Sequence, residues 1–389
     1  MKKTYLCTAL LAGLVAAGCS QSETIGDMVD GAQTPVAFGT YVGKATNGRA
    51  SEKTAFAEND KIGIFGYYTT LANYSAVTNN PTNFMFNQEV TKGASDWTYS
   101  PLKYWPNDVN SEQGKGKVSF FAYYPMAATG TAIALDGTFS TAKIGDPLII
   151  YTASDQTKQV DLLWGVNITG TPYLDQTKPT TTTEKVTFTF KHALARVGFK
   201  IKLADDILAD NPNETTVTID KIEFGGKLTS ADKEGVLTGS LTPSATLNLN
   251  NTTANVANWT SPATTDLYSA ELLTEAFTNN GIFGGSGNAA FDAEITNTGA
   301  NYLMIIPQDF SQTDGETQVR ITYTVVTTDA AVNGGKSEIV NKHVADVTAN
   351  FENGKAYTYT FAIGLTNVKV DVDTSMDWAT QPDSDITVN

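Results

Sequence analysis

Short runs in which apolar and polar positions alternate recur along the chain, and they predict β-strands. Val36, Phe38, Thr40 and Val42 alternate with Ala37, Gly39 and Tyr41. Val186, Phe188 and Phe190 repeat the pattern, as do Val319, Ile321, Tyr323 and Val325, and again Tyr357, Tyr359, Phe361 and Ile363. A period of two places every second side chain on one face, which suits a half-buried strand. The stretch Val118–Tyr124 is strongly aromatic and β-branched, and Ile62, Ile64 and Phe65 mark another short run. Turn-forming clusters punctuate these runs at Asn79-Asn80-Pro81, Asp136-Gly137, Asn333-Gly334-Gly335 and Asn353-Gly354. Many short strands with such punctuation predict an all-β sandwich architecture rather than βαβ units. Only Ala270–Phe277 and Leu203–Ala209 read as helical, and both are short.

A change of register divides the pattern. Apolar residues occupy even positions from Val186 to Phe190, then odd positions through Ala193, Ala195, Val197, Phe199, Ile201 and Leu203. A straight strand would flip its buried face there, so a bulge or a change of sheet is expected near Lys191 and His192. The Thr-rich stretch from Thr177 to Thr183 reads as the loop leading in. The expected division is an N-terminal sandwich over 35–192 and a C-terminal one over 193–389, both of ordinary domain size.

The first residues read as an export signal. Lys2 and Lys3 precede an apolar run from Tyr5 to Ala17, with Gly18 and Cys19 after it. That run is too short to span a bilayer, which takes about 20 residues, but it suits a cleaved signal over 1–18. Leu14-Val15-Ala16-Ala17-Gly18-Cys19 resembles a bacterial lipobox, with Ala16 standing where Leu is commoner. On that likeness the Cys19 thiol receives a diacylglycerol and becomes the first residue, and polar residues 19–34 form a flexible tether. Cys7 leaves with the signal, so neither a disulfide framework nor a thiol nucleophile is expected afterwards.

Composition narrows the function classes. The 389 residues carry 26 Lys+Arg against 41 Asp+Glu, a net charge of -15, which argues against nucleic acid as a partner. Arg occurs only at 49, 196 and 320, and His only at 192 and 343. Catalytic His triads and His/Cys metal cages therefore have few parts to draw on. His192 has no second His near it and reads as a hydrogen-bonded structural residue, and His343 as a surface strand residue. Trp97, Tyr99, Tyr104 and Trp105 offer rings for stacking sugars, but rings in sandwiches more often fill cores. Asp371, Asp373 and Asp377 resemble half a cation loop without its Gly and closing Glu. Gly281–Gly287 lacks the Lys-Ser/Thr of a phosphate loop, and the adjacent carboxylates Asp205 and Asp206 diverge in any regular element. No catalytic, cofactor-binding or metal-binding residue is expected, and no cofactor.

Four blocks carry a likeness. They are Trp97–Pro106, Val118–Pro125, Asp161-Leu162-Leu163-Trp164-Gly165 and Phe188–Val197, which reads Phe-Thr-Phe-Lys-His-Ala-Leu-Ala-Arg-Val. In this order, with the lipoprotein signal ahead and Trp378 behind, the chain resembles the fimbrillin family of Bacteroidales lipoproteins along nearly its whole length. The resemblance implies two transthyretin-like β-sandwiches and a non-enzymatic pilus subunit, structural or adhesive, on the outer membrane and in extracellular fimbriae. It also implies that an Arg-directed protease removes the leading segment with its first strand, and that a strand from another fimbrial subunit takes the vacated groove. Carried onto this sequence, the exchangeable strand is Val36, Phe38, Thr40 and Val42. The cut falls at Arg49, which Gly48, Ala50 and Ser51 surround as in a cleavable loop. Implied partners are fimbrial subunits, the outer membrane through lipid on Cys19, and a host or bacterial surface receptor. The alternative is a glycan-binding outer-membrane lipoprotein that stays anchored and monomeric.

Overall fold

The computed structural model describes residues 33–42, 55–76, 84–106, 116–136, 145–166, 173–179, 184–203, 215–229, 234–250, 256–261, 266–273, 277–278, 302–311, 317–327, 338–363 and 368–375. Strands dominate them. The first are β1 (Phe38–Val42), β2 (Lys61–Tyr68), β3 (Met85–Lys92), β4 (Trp97–Thr98) and β5 (Val118–Tyr124). Then come β6 (Ile133–Leu135), β7 (Leu148–Thr152), β8 (Leu163–Val166) and β9 (Val186–His192). The chain continues through β10 (Ala195–Leu203), β11 (Thr215–Leu228), β12 (Leu237–Gly239), β13 (Ser244–Asn248), β14 (Asn258–Thr260) and β15 (Ala270–Leu273). It closes with β16 (Phe277–Thr278), β17 (Leu303–Ile305), β18 (Gln308–Asp309), β19 (Gln318–Thr327), β20 (Glu338–Asp346), β21 (Asn350–Phe351), β22 (Ala356–Ile363) and β23 (Val368–Ser375). Helix among the described residues is limited to 3₁₀ turns at Tyr74–Ala76 and Gln156–Lys158.

Two hydrophobic cores organise these strands. The first lies between a seven-stranded sheet of order β1-β9-β8-β5-β2-β3-β4 and a four-stranded sheet of order β14-β13-β7-β6. It is aromatic: Phe120 and Phe121 of β5 are fully buried, Phe120 meets Phe38, Phe84 and Trp105, and Phe121 meets Tyr67, Tyr74 and Tyr173. Edge-to-face rings at such spacings add to the area they bury. The second core lies between the sheet β17-β10-β22-β23 and the sheet β12-β11-β19-β20. Its members include Val197, Phe199, Phe224, Ile321, Tyr359 and Phe361. The chain passes from one core to the other between Leu194 and Ala195, and at that point it leaves the sheet of β9 for the sheet of β10.

The later part of the chain also returns to the first core. β13 pairs antiparallel with β7 from Ser244↔Thr152 to Asn248↔Leu148, and Leu247 is buried there. Asp146 fastens this return: its carboxylate accepts from the side chains of Asn248, Asn250 and Tyr74, each at 2.9 Å. Three donors satisfy a carboxylate well, so the crossing is a fixed joint.

The helical reading of Ala270–Phe277 is corrected. Ala270–Leu273 and Phe277–Thr278 are strands antiparallel to β11. Ala270 and Leu272 are buried while Glu271 is exposed, the alternation of a strand. Good intrinsic helix formers here yield to the free edge of β11, because tertiary pairing overrides a weak propensity. The other short segment opens with Leu203, the last residue of β10, and 204–209 lie outside the described residues. One glycine is sterically required in β11. The register shifts between Phe224 and Gly226, Gly225 has φ +79, and a Cβ there would lie 2.3 Å from Leu241.

Candidate assembly site around the first strand

β1 occupies the end of its sheet and is fastened on three sides. Its backbone pairs parallel with β9, from Phe38↔Val186 to Val42↔Phe190, and the Val186 amide donates to the Ala37 carbonyl at 2.8 Å. On its other side the first residues meet a different segment. The Val36 amide donates to Lys103 O at 2.9 Å, and the Trp105 amide donates to Thr34 O at 3.0 Å. Beyond Val36 the sheet has no further strand on that side among the described residues. Side chains stand there instead. The Tyr99 hydroxyl donates to Val36 O at 2.8 Å, and the Trp97 indole N–H donates to Thr40 Oγ1 at 2.9 Å.

Inward, Val36 and Phe38 are each 2% exposed. The Phe38 ring sits among Tyr99 at 5.6 Å, Phe120 at 5.5 Å and Phe188 at 6.0 Å. Outward, Gly39 faces Thr187 and the stem of Lys185, whose Nζ reaches Asp96 Oδ1 at 2.6 Å. That ion pair links the residue before β9 to the residue before β4, the two segments that border β1. It is exposed and therefore weak. Burial pushes the Tyr99 phenol up to about 12, while the Lys103 backbone hydrogen bond acts the other way. Tyr99 therefore stays a neutral donor across the physiological range.

The sequence-predicted residues divide as follows. The structure brings Val36, Phe38 and Thr40 together with the aromatic block. Val42 is placed by its backbone pairing with Phe190. Cys19 and Arg49 lie outside the described residues, as do Asp205, Asp206, Gly281–Gly287, Asp377, Trp378 and the tail bearing Ile386 and Val388. Sequence reasoning placed Trp97, Tyr99, Tyr104 and Trp105 in a core: Trp105 is buried and Trp97 and Tyr99 pack against that core, but Tyr104 is 40% exposed, and the hold of Trp97 and Tyr99 on β1 was missed. No local signal carries this, because their partners lie 57 and 63 residues away.

The remaining described candidates lie in or beside strands. His192 Nδ1 lies 2.9 Å from Asp161 Oδ1, with side chains 13% and 3% exposed. The pair ties the end of β9 to the approach of β8 and sits beside the passage between cores, where the Gly354 amide donates to Leu194 O. His343 lies half-buried in β20 opposite Ile321. Asp371 and Asp373 lie in β23, paired with Thr360 and Thr358. Among the described residues no group of three His, Cys, Asp or Glu side chains is placed to hold a metal ion.

Comparison with known proteins bears on the family and the fold. A fimbrium subunit, Fim1C of Phocaeicola vulgatus, is 27% identical, with 97% of each chain covered. The solved structure of a fimbrial protein from Bacteroides vulgatus matches with a TM-score of 0.57 and 20% identity, covering 88% of this chain and 98% of that one. At that identity the second likeness speaks for the fold. The fimbrillin-like family model matches residues 48–378, and the chain belongs to the fimbrillin-like family.

Proposed function

We propose that this protein is a structural or adhesive subunit of cell-surface fimbriae, exported as a lipoprotein through Cys19 and assembled by protease-triggered strand exchange. In this reading a cut at Arg49 frees β1 with the lipid-bearing segment, and an extended strand from a neighbouring subunit takes its place. The chain then works as two β-sandwich domains of the transthyretin-like kind, mainly 35–192 and 193–389, with β13 and β14 of the later part completing the second sheet of the first, to which the exchange is confined. One observation carries the reading: β1 is an edge strand whose Phe38 ring is nonetheless a core residue. Losing β1 would expose backbone donors and acceptors of β9 above an aromatic groove, the requirements for strand addition.

Magnitudes favour replacement over vacancy. Each backbone hydrogen bond contributes about 0.5–1.5 kcal/mol net, and burying a Val or Phe about 1.5–3 kcal/mol. An incoming strand with similar alternation recovers both contributions, so the exchange is nearly balanced in free energy. The glycan-binding alternative has less support, because the side chains of Trp97 and Tyr99 are engaged with the β1 segment and the Trp105 ring is buried, which leaves only Tyr104 of the four exposed.

The test is direct. Arg49→Ala should give acylated, monomeric protein in the membrane fraction, whereas the parent forms SDS-resistant ladders after protease treatment. Ladders of normal length from the variant would refute processing at Arg49. Cys19→Ser should release the protein from the membrane fraction.

A further inference from the structure

The contacts around β1 differ in what they can discriminate. Tyr99 binds the Val36 carbonyl, and Lys103 and Trp105 bind backbone groups of Val36 and Thr34. Every extended segment without proline at the Val36 position presents those groups, so these contacts are otherwise blind to sequence. Two others are not. The Phe38 ring fills a space bounded by the rings of Tyr99, Phe120 and Phe188 at 5.5–6.0 Å. A smaller side chain there leaves a void that a packed core does not close. The Trp97 indole N–H is a donor without acceptor capacity, and its partner is the Thr40 hydroxyl. A Val in that position matches Thr in shape but leaves the N–H unpaired at a half-buried site.

We propose that the β1 position is read by side chains as well as backbone: it selects an extended segment bearing an aromatic ring at the Phe38 position and a Ser or Thr hydroxyl two residues later. The position between them adds a milder filter. A Cβ at Gly39 would lie 3.0 Å from Thr187 Oγ1, so a small residue is preferred there. The partner is thus a strand of another polypeptide that reads apolar-x-aromatic-small-hydroxyl, entering parallel to β9. A strand of alternating aliphatic residues fits the backbone and is rejected by the side chains. This inference rests on the strand replacement proposed above, and its test separates the two.

The experiment uses the full-length chain with a specific protease site placed within 43–54. After nicking, labelled synthetic peptides of residues 33–43 compete with the resident segment. The native peptide should exchange in. A Thr40→Val peptide should bind about fivefold more weakly, the worth of one net hydrogen bond, and a Thr40→Ser peptide should bind like the native one. A Phe38→Ala peptide should bind at least about a hundredfold more weakly. In a Trp97→Phe background the Thr and Val peptides should become equal. If no peptide exchanges, the native one included, strand replacement itself fails. If native, Val and Ala peptides bind alike, replacement stands and selection by side chain is overturned. If Thr is still favoured over Val in Trp97→Phe, the indole is not the reader.

Discussion

β1 and β22 are the strands joined to their cores by the parallel ladders found among the described residues, β1 to β9 and β22 to β10. They bury their rings almost equally: Phe38 is 2% exposed, Tyr359 2% and Phe361 1%. They differ in what lies on the far side. β22 carries β23 along its whole length, from Ala356↔Ser375 to Ile363↔Val368. On that side β1 is met by backbone only just ahead of it, where Lys103 and Trp105 bond to Val36 and Thr34, and then by the side chain of Trp97 at Thr40. Depth of burial and permanence of attachment are therefore separate properties. A ring can sit in a core while the strand that bears it leaves a sheet intact behind it. Removing β22 would divide its sheet between β10 and β23, whereas removing β1 only exposes β9.

The largest expected effect comes from deleting rings. Phe361→Ala should lower global stability by about 3–5 kcal/mol, read as a shift of the whole denaturant transition. Phe38→Ala removes as much packing, yet most of its effect should appear as loosening of β1, read by hydrogen exchange of Val186–Phe190. Equal shifts of the global transition would erase the distinction between the two strands. Next come the fasteners on the open side. Trp97→Phe and Tyr99→Phe should each weaken β1 by about 1 kcal/mol, with β22 unaffected in the same exchange measurement.

A pH effect follows from Tyr99. Its phenol is held up to about 12, so its contribution is complete below the ordinary tyrosine value near 10 and is lost as pH rises through that window. Exchange of β1 in nicked protein should accelerate between those limits, and Tyr99→Phe should remove that portion of the acceleration. The smallest effect belongs to Asp96→Asn. It should loosen β1 slightly at low salt and not at all at high salt, because Lys185 and Asp96 are solvent-exposed.

Period-two patterning was enough to find much of this. The runs around Val118, Val186, Val319 and Tyr357 became β5, β9, β19 and β22, because alternation and bulk are local properties that a sheet uses directly. Ala270–Phe277 was misread because its run of good helix formers shows too little alternation to reveal the strands at Ala270–Leu273 and Phe277–Thr278, and their deciding partner, β11, lies elsewhere in sequence. The return of β13 to pair with β7 was equally invisible, since it depends on Asp146 and Asn248 meeting across 102 residues. The candidate site divides in the same way. Val36, Phe38 and Thr40 were readable as a strand, but the clasp formed by Trp97 and Tyr99 exists only once the chain has folded.

The central claim is that β1 is a removable member of its sheet. The most direct measurement is the N-terminal residue of subunits recovered from assembled fibres on the cell surface. The account predicts chains that begin after Val42, at Ala50 if the cut is at Arg49, with Phe38 absent from every assembled subunit. Fibres built from chains that still run from Cys19 through Phe38 would contradict it.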